Sequence, residues 1–201
     1  MKLCPRRTNL SRCLPRRFPT RPLARQPPVP LVSALMAYSR PERRKLAVYS
    51  AKSFLAQTWP NKELIIFNAT RNRLLLFPRL GVREIRLRQR SIGEMLNICL
   101  ENSNGTWNTI WWDDCIYRAD YLTTLMKEAT PGALVLLRNK TIWDKGQNQA
   151  FATENSSIVC PLFPRCHPVG LGLDLSAQFE VVKHVHNDAD LIVKVVRLLN
   201  D

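Results

Sequence analysis

The sequence predicts an α/β domain with an open, mostly parallel sheet flanked by helices, and three observations predict it. Short apolar runs of strand length alternate with stretches of helical periodicity from residue 31 onward. Turn-forming residues punctuate them: Pro41, Pro60-Asn61 and Asn104-Gly105 each fall between two such stretches. The chain has 201 residues, 45% of them apolar, enough for one domain with a sizeable core and a short extension.

The extension is the N-terminus. Residues 1–29 contain Pro5, Pro15, Pro19, Pro22, Pro27 and Pro28 among many arginines. Proline fixes φ and removes backbone donors, so this segment reads as a disordered basic tail, dispensable for folding. The domain is expected over 30–201. Leu31 to Ala37 is a short, largely apolar run that reads as a buried parallel strand. Ser39-Arg40-Pro41-Glu42 is a turn with proline at a helix start. Residues 42–58 place Leu46, Ala51, Phe54 and Leu55 at helical spacing, and Glu63 to Asn68 is a second buried strand, completing a βαβ unit.

The order then repeats. Leu74 to Phe77 and Val82 to Leu87 are apolar-rich segments around a turn at Arg79-Leu80-Gly81. Ile92 to Asn102 reads as a helix with Ile92, Met95, Leu96 and Cys99 on one face. Asn104-Gly105 suits a left-handed turn after it. Trp107 to Trp112 is a third strand, running directly into Asp113 and Asp114. Tyr121 to Ala129 is helical, Ala133 to Leu137 and Phe179 to His186 are strands, and Asp188 to Leu199 is a helix. There is no internal repeat.

The formal net charge is +14, and residues 1–41 supply nine Lys or Arg and no acid. A second basic run holds Arg71, Arg73, Arg79, Arg83, Arg86, Arg88 and Arg90 against Glu84. Such an excess attracts nucleotides, nucleic acid or anionic lipid, or serves as a solvated surface. No apolar run reaches the ~18 residues that span a bilayer, and no apolar signal region is visible, so a cytoplasmic location with reduced thiols is expected. Of the six cysteines, Cys160 and Cys166 with His167 are a partial zinc-ligand set with no fourth ligand at useful spacing.

In open α/β sheets, ligands bind at the carboxyl ends of strands. Three strand ends here carry polar residues: Tyr38-Ser39-Arg40, Asn68-Ala69-Thr70 and Asp113-Asp114. Their convergence suggests a nucleotide site. Paired carboxylates at a strand end suit Mg²⁺ or Mn²⁺ bridging two phosphates, since both are hard cations that prefer oxygen ligands. Capping of the following helix is the alternative use of two aspartates.

The segments PLVSALMAYSRPER and SFLAQTWPNKELIIFNAT resemble the opening of the family-2 glycosyltransferases, and IGEMLNICLENSNGTWNTIWWDDCIYRADYL is similar to their next block. The resemblance covers about residues 30–126, and SFLAQTWPNKELII is its most specific run. It implies a single GT-A-like (Rossmann-like) domain that moves a sugar from a nucleoside-diphosphate sugar to an acceptor. By position it sets Tyr38 and Arg40 against the nucleotide and Asn68 where the family has a base-binding Asp. Asn97 falls at the Asn of the family's Arg-Asn pair. Asp113 and Asp114 match the acidic cluster that binds a divalent cation, Mn²⁺ or Mg²⁺, and the donor diphosphate. Such a metal neutralises the leaving diphosphate.

The sequence departs from the pattern at three places. Asn68 replaces an Asp, Leu96 replaces the Arg beside Asn97, and the aspartate pair lacks a third acidic neighbour. An inverting member needs a carboxylate base for the acceptor hydroxyl. Asp174 is the candidate by position, with Glu154 behind it, and a turn or cap residue is the alternative use of Asp174. His186, followed by Asn187, resembles the family's metal- or phosphate-contacting His, against an ordinary surface or core role. His184 and His186 share one strand face. Trp111, Trp112 and Trp143 are expected in the core rather than as sugar-stacking platforms, and Trp143, near a predicted loop, is the first candidate for an exception. Two rival readings stand beside the transferase. One is a nucleic-acid-binding protein or a transferase whose acceptor is nucleic acid, motivated by the basic runs. The other is an inactive GT-A binding module, motivated by the short acidic cluster.

Overall fold

The computed structural model describes residues 28–74, 81–131, 133–137, 140–144, 149–153, 161–164, 181–185 and 192–196. The predicted tail therefore lies outside the described residues, apart from its last two. The chain enters the domain through β1 (Val32–Tyr38), passes a 3₁₀ turn (Pro41–Arg43) into α1 (Arg44–Leu55), and returns through β2 (Lys62–Asn68) and β3 (Val82–Arg86). Then come α2 (Ile92–Glu101), β4 (Trp107–Ile110), β5 (Cys115–Tyr117) and α3 (Tyr121–Glu128). The remaining described elements are β6 (Ala133–Leu137), β7 (Lys140–Asp144), β8 (Gln149–Thr153), β9 (Leu162–Pro164), β10 (Val181–Val185) and β11 (Ile192–Val196).

Among the described residues, seven strands form the main sheet in the order β10-β6-β9-β4-β1-β2-β3. β1 pairs in parallel with β2 and β4, β2 with β3, and β10 with β6. β9 runs antiparallel to both of its neighbours, β4 and β6. The architecture is thus the expected open, mostly parallel sheet flanked by helices. Both faces of β1 are buried, which is why its sequence is apolar apart from Ser33. Val32, Ala34, Met36 and Tyr38 join a cluster with α1, α3 and β5, while Leu35 joins one with α2.

Helix α1 buries Leu46, Ala47, Ser50, Ala51, Ser53 and Phe54 and leaves Tyr49 exposed. Helix α2 starts at a capping box: the Glu94 amide donates to Ser91 Oγ, and the Glu94 carboxylate accepts from the Ser91 amide at 3.0 Å. Its buried face is Met95, Leu96, Cys99 and Leu100; Ile92, expected on that face, is half-exposed because it occupies the first turn at the helix margin. Burial pushes the Cys99 thiol up to about 12, so it packs as a small apolar group.

The QTWPN run that follows α1 is a set of anchors. Gln57 is buried; its Nε2 donates to the carbonyls of Ser53 and Arg118, and its Oε1 accepts from the Leu122 amide at 2.9 Å. Trp59 Nε1 donates to the Pro30 carbonyl and Asn61 Nδ2 to that of Val29. The run thereby ties α1 to the segment before α3 and fixes the entry to β1.

Gly105 is needed for a reason other than the expected left-handed turn. Of the described glycines, Gly81 has the positive φ, 72°. At Gly105 an added Cβ would lie 2.6 Å from the Trp107 carbonyl and 2.7 Å from the Ser33 amide. The Gly105 amide donates to Ser33 Oγ at 2.8 Å, so the backbone here packs directly against β1. Gly105→Ala is expected to cost about 2 kcal/mol or more, as overpacking against rigid backbone does. A denaturant titration that shows no loss would contradict this contact.

Two expectations for the C-terminal half change. Asp188 to Leu199 was expected to be a helix, but Ile192–Val196 is strand β11, antiparallel to β5 and parallel to β7. Its IVKVV sequence is dominated by β-branched residues, which favour strand over helix once edges are available to pair. β11 belongs to a second sheet, in the order β5-β11-β7-β8, that the sequence did not reveal. Trp143, expected near a loop, lies within β7, opposite Val195 and Ala150.

Candidate functional site

The strand order reverses direction beside β1: the chain proceeds from β1 outward to β2 and β3, then crosses to β4 on the other side of β1. The carboxyl ends of β1 and β4 thus flank a topological switch point, where such sheets open a crevice. Tyr38 ends β1, with Arg40 and the turn Pro41–Arg43 beyond it. Asp113 and Asp114 follow β4 after Trp111 and Trp112.

The aspartates are held in place from below. The Trp111 amide continues the β1–β4 ladder by donating to the Leu35 carbonyl at 2.9 Å. The Trp111 ring is fully buried, stacked on Tyr117 at 3.6 Å between centroids and meeting Phe54 and Tyr121 edge-on. Its Nε1 donates to the Ser50 carbonyl, Ser50 Oγ donates to the Trp112 carbonyl at 2.7 Å, and the Trp112 amide donates to the Tyr117 hydroxyl. Helix α1 therefore braces the chain directly before Asp113. The helix-capping alternative falls, because β5 separates Asp113 and Asp114 from α3.

The residue that meets the pair was not identified from the sequence. Arg43 Nη1 lies 3.2 Å from an oxygen of Asp114 and 3.6 Å from one of Asp113. The 3₁₀ turn carries this guanidinium from the end of β1 to the end of β4. Both carboxylates are largely buried, and the Arg43 side chain is about a quarter exposed. Burial pushes the Asp113 carboxyl up to about 6, with Asp114 adding to the effect and Arg43 and Arg40 opposing it. Arg43 is thus close enough to attract but does not fully offset desolvation.

Tyr38 is buried, with its hydroxyl 3.5 Å from the Pro41 carbonyl. Burial raises its phenol above the ordinary range; a hydrogen bond with Thr70 and the charge of Arg44 oppose this, while Asp113 and Glu42 add to it. These influences bring the ends of β1, β2 and β4 into one electrostatic neighbourhood. Arg40 is exposed at its rim. Asn68 is fully buried: its Oδ1 accepts from the Thr70 amide and hydroxyl, and its Nδ2 donates to the Asn72 carbonyl and to Glu84. Its amide organises the turn after β2. Asn97 sits on α2, half-buried, and its Oδ1 is buried with no hydrogen bond among the described residues. Asp174, Glu154, His186, Cys160, Cys166 and His167 lie outside the described residues, and His184 lies on β10 opposite Leu136.

Among the described residues no group of three or more His, Cys, Asp or Glu converges as a metal site. The donors on offer to a divalent cation are Asp113 and Asp114. Adjacent, hard, largely buried carboxylate oxygens fit Mg²⁺ or Mn²⁺ in kind, and Arg43 holds a positive charge against them. Among the described residues, no helix is long and apolar enough to cross a membrane.

No protein-family model matches the chain, and no curated protein matches it in sequence. Among solved structures it is similar to the mannosyltransferase PcManGT from Pyrobaculum calidifontis, in complex with GDP-Man and Mn²⁺, at 17% identity and a TM-score of 0.49, over 54% of this chain and 35% of that one. It is also similar to TarS from S. aureus, at 14% identity and a TM-score of 0.46, over 53% of this chain and 21% of that one. The 1–349 portion of TarS with UDP-GlcNAc aligns at 14% identity and a TM-score of 0.45, over 54% and 34% of the respective chains. The chain spans about a third or less of the length of these structures.

Proposed function

We propose that this chain binds a nucleoside-diphosphate sugar across the carboxyl ends of β1, β2 and β4 and transfers the sugar to an acceptor. The observation that carries this reading is the meeting of Arg43 with Asp113 and Asp114 at the switch point beside β1. The resemblance of the two N-terminal blocks to family-2 glycosyltransferases supports it. Arg40 and Arg43 supply guanidinium donors suited to phosphate oxygens. Tyr38 is buried at the end of β1, and Asn68 orders the turn after β2. Asp113 and Asp114 would hold a divalent cation, Mn²⁺ or Mg²⁺, which neutralises the departing diphosphate when bound. Asp174 is the proposed base for the acceptor hydroxyl, and His186 a further proposed ligand. The test is a thermal-shift screen of UDP-, GDP- and TDP-sugars with and without Mn²⁺. One donor class is expected to raise the melting temperature, and more so with metal. No shift with any donor would sink the proposal.

A nucleic-acid acceptor is the second reading. Arg71, Arg73, Arg83, Arg86, Arg88 and Arg90 are all exposed on or near β3, which among the described residues is an edge strand of the main sheet. A duplex or single strand bound there would release counterions, so its affinity would fall steeply with salt. Salt-independent binding would count against it.

A further inference from the structure

We infer that Arg43 is an internal cation that closes the Asp113–Asp114 pair until a diphosphate draws it away, so that nucleotide opens the pair to metal. The second half of this inference rests on the nucleotide reading; the first half stands on the geometry alone. Two neighbouring carboxylates that are largely buried repel each other and need a counter-charge. Arg43 Nη1 provides it, 3.2 Å from Asp114 and 3.6 Å from Asp113. A divalent cation at the same oxygens would face the guanidinium across a short gap, and two like charges at that range repel strongly. Metal therefore competes with Arg43 for the pair.

The guanidinium is not fully committed where it lies. Its Nε is buried and makes no hydrogen bond among the described residues. An unsatisfied buried donor is costly, so the resting position is held mainly by the carboxylates. The turn that carries Arg43 begins directly after Arg40, at the mouth of the crevice, and its side chain is about a quarter exposed. A diphosphate there offers several anionic oxygens in the geometry a guanidinium fork prefers. Once Arg43 turns to phosphate, the aspartate oxygens lose their cationic partner, and a divalent cation beside the diphosphate would take its place. Coupling of this kind is reciprocal: diphosphate raises metal affinity by the same factor that metal raises diphosphate affinity.

The test measures free Mn²⁺ by electron paramagnetic resonance during titration of the full chain, first without nucleotide. The parent is expected to bind Mn²⁺ weakly. Arg43→Gln is expected to bind it at least ~10-fold more tightly, a change of about 1.4 kcal/mol. Arg43→Lys keeps a cation beside the pair and is expected to stay close to the parent. A parent that binds as tightly as Arg43→Gln, or an Arg43→Gln chain that gains nothing, overturns the inference. Unchanged far-UV circular dichroism and melting temperature qualify each variant, and Arg43→Ala replaces Arg43→Gln if the latter fails to fold. Adding UDP or GDP to the parent is then expected to raise its Mn²⁺ affinity. If neither has an effect while Arg43→Gln still gains, the closing role of Arg43 stands and the nucleotide reading falls.

Discussion

Trp111→Ala is expected to remove about 3–5 kcal/mol of folding stability, the range for deleting a fully buried tryptophan. The indole is enclosed by Phe54, Tyr117 and Tyr121, and it links β4 to α1 through its bond to the Ser50 carbonyl. Truncation would leave a large cavity, and the rings around it belong to three different elements, so the site cannot collapse easily. A domain of this size has about 5–15 kcal/mol in total, so the variant should be close to unfolding at ambient temperature. Trp111→Phe, which keeps a ring but loses the bond to Ser50, should fall in between. Urea titration of the three chains checks the order. A loss below about 1 kcal/mol for Trp111→Ala would show that the ring is not part of the core.

Asp113→Asn is expected to stabilise the metal-free protein at neutral pH, by up to about 3 kcal/mol, and to do so in a pH-dependent way. Burial first, and Asp114 second, raise the Asp113 carboxyl from 3.8 to about 6. The folded protein therefore holds this proton more tightly than the unfolded chain does. The parent gains stability as pH falls through about 6 toward 4, and above about 6 it carries the full penalty of the buried charge. An amide carries no such penalty at any pH. The advantage of the variant should be largest at pH 7–8, shrink through pH 6 and vanish near pH 4. Unfolding free energies measured in EDTA across that range test the sign. A variant less stable than its parent at pH 7.5 would mean that attraction to Arg43 outweighs burial.

The first half of the fold was legible because its signals are local. The middles of β1 and β2 are buried on both faces, so residues 34–37 and 64–67 show as apolar runs, and α1 shows its period through Leu46, Ala51 and Phe54. The QTWPN run was recognisable by resemblance, and the structure supplies its physical content in the anchors made by Gln57, Trp59 and Asn61. Asp113 and Asp114 were legible because a strand end with two acids is unusual. Arg43 was not, because one arginine in a Pro-Glu-Arg-Arg-Lys stretch looks like a solvated charge until the fold brings it 71 positions along the chain to Asp114. The second sheet was hidden for a related reason. β5 has three residues, and β11 follows Asp188 and Asp190 in a stretch that reads as a capped helix, so its strand character emerges only when β5 and β7 offer edges. Gly105 marked a real constraint, but its cause, close packing on Ser33, is a contact that local turn chemistry does not encode.

The central claim is that Asp113 and Asp114 serve a diphosphate through a cation at the switch point. Calorimetric titration of UDP and GDP into the parent and into Asp113→Asn/Asp114→Asn, each in Mn²⁺ and in EDTA, tests it most directly. The parent is predicted to bind one of the two nucleotides at least ~10-fold more tightly with Mn²⁺ than in EDTA, a difference of about 1.4 kcal/mol. The folded double variant is predicted to bind equally in both. Equal binding by the parent in Mn²⁺ and EDTA, or a double variant that keeps the metal dependence, would contradict the account.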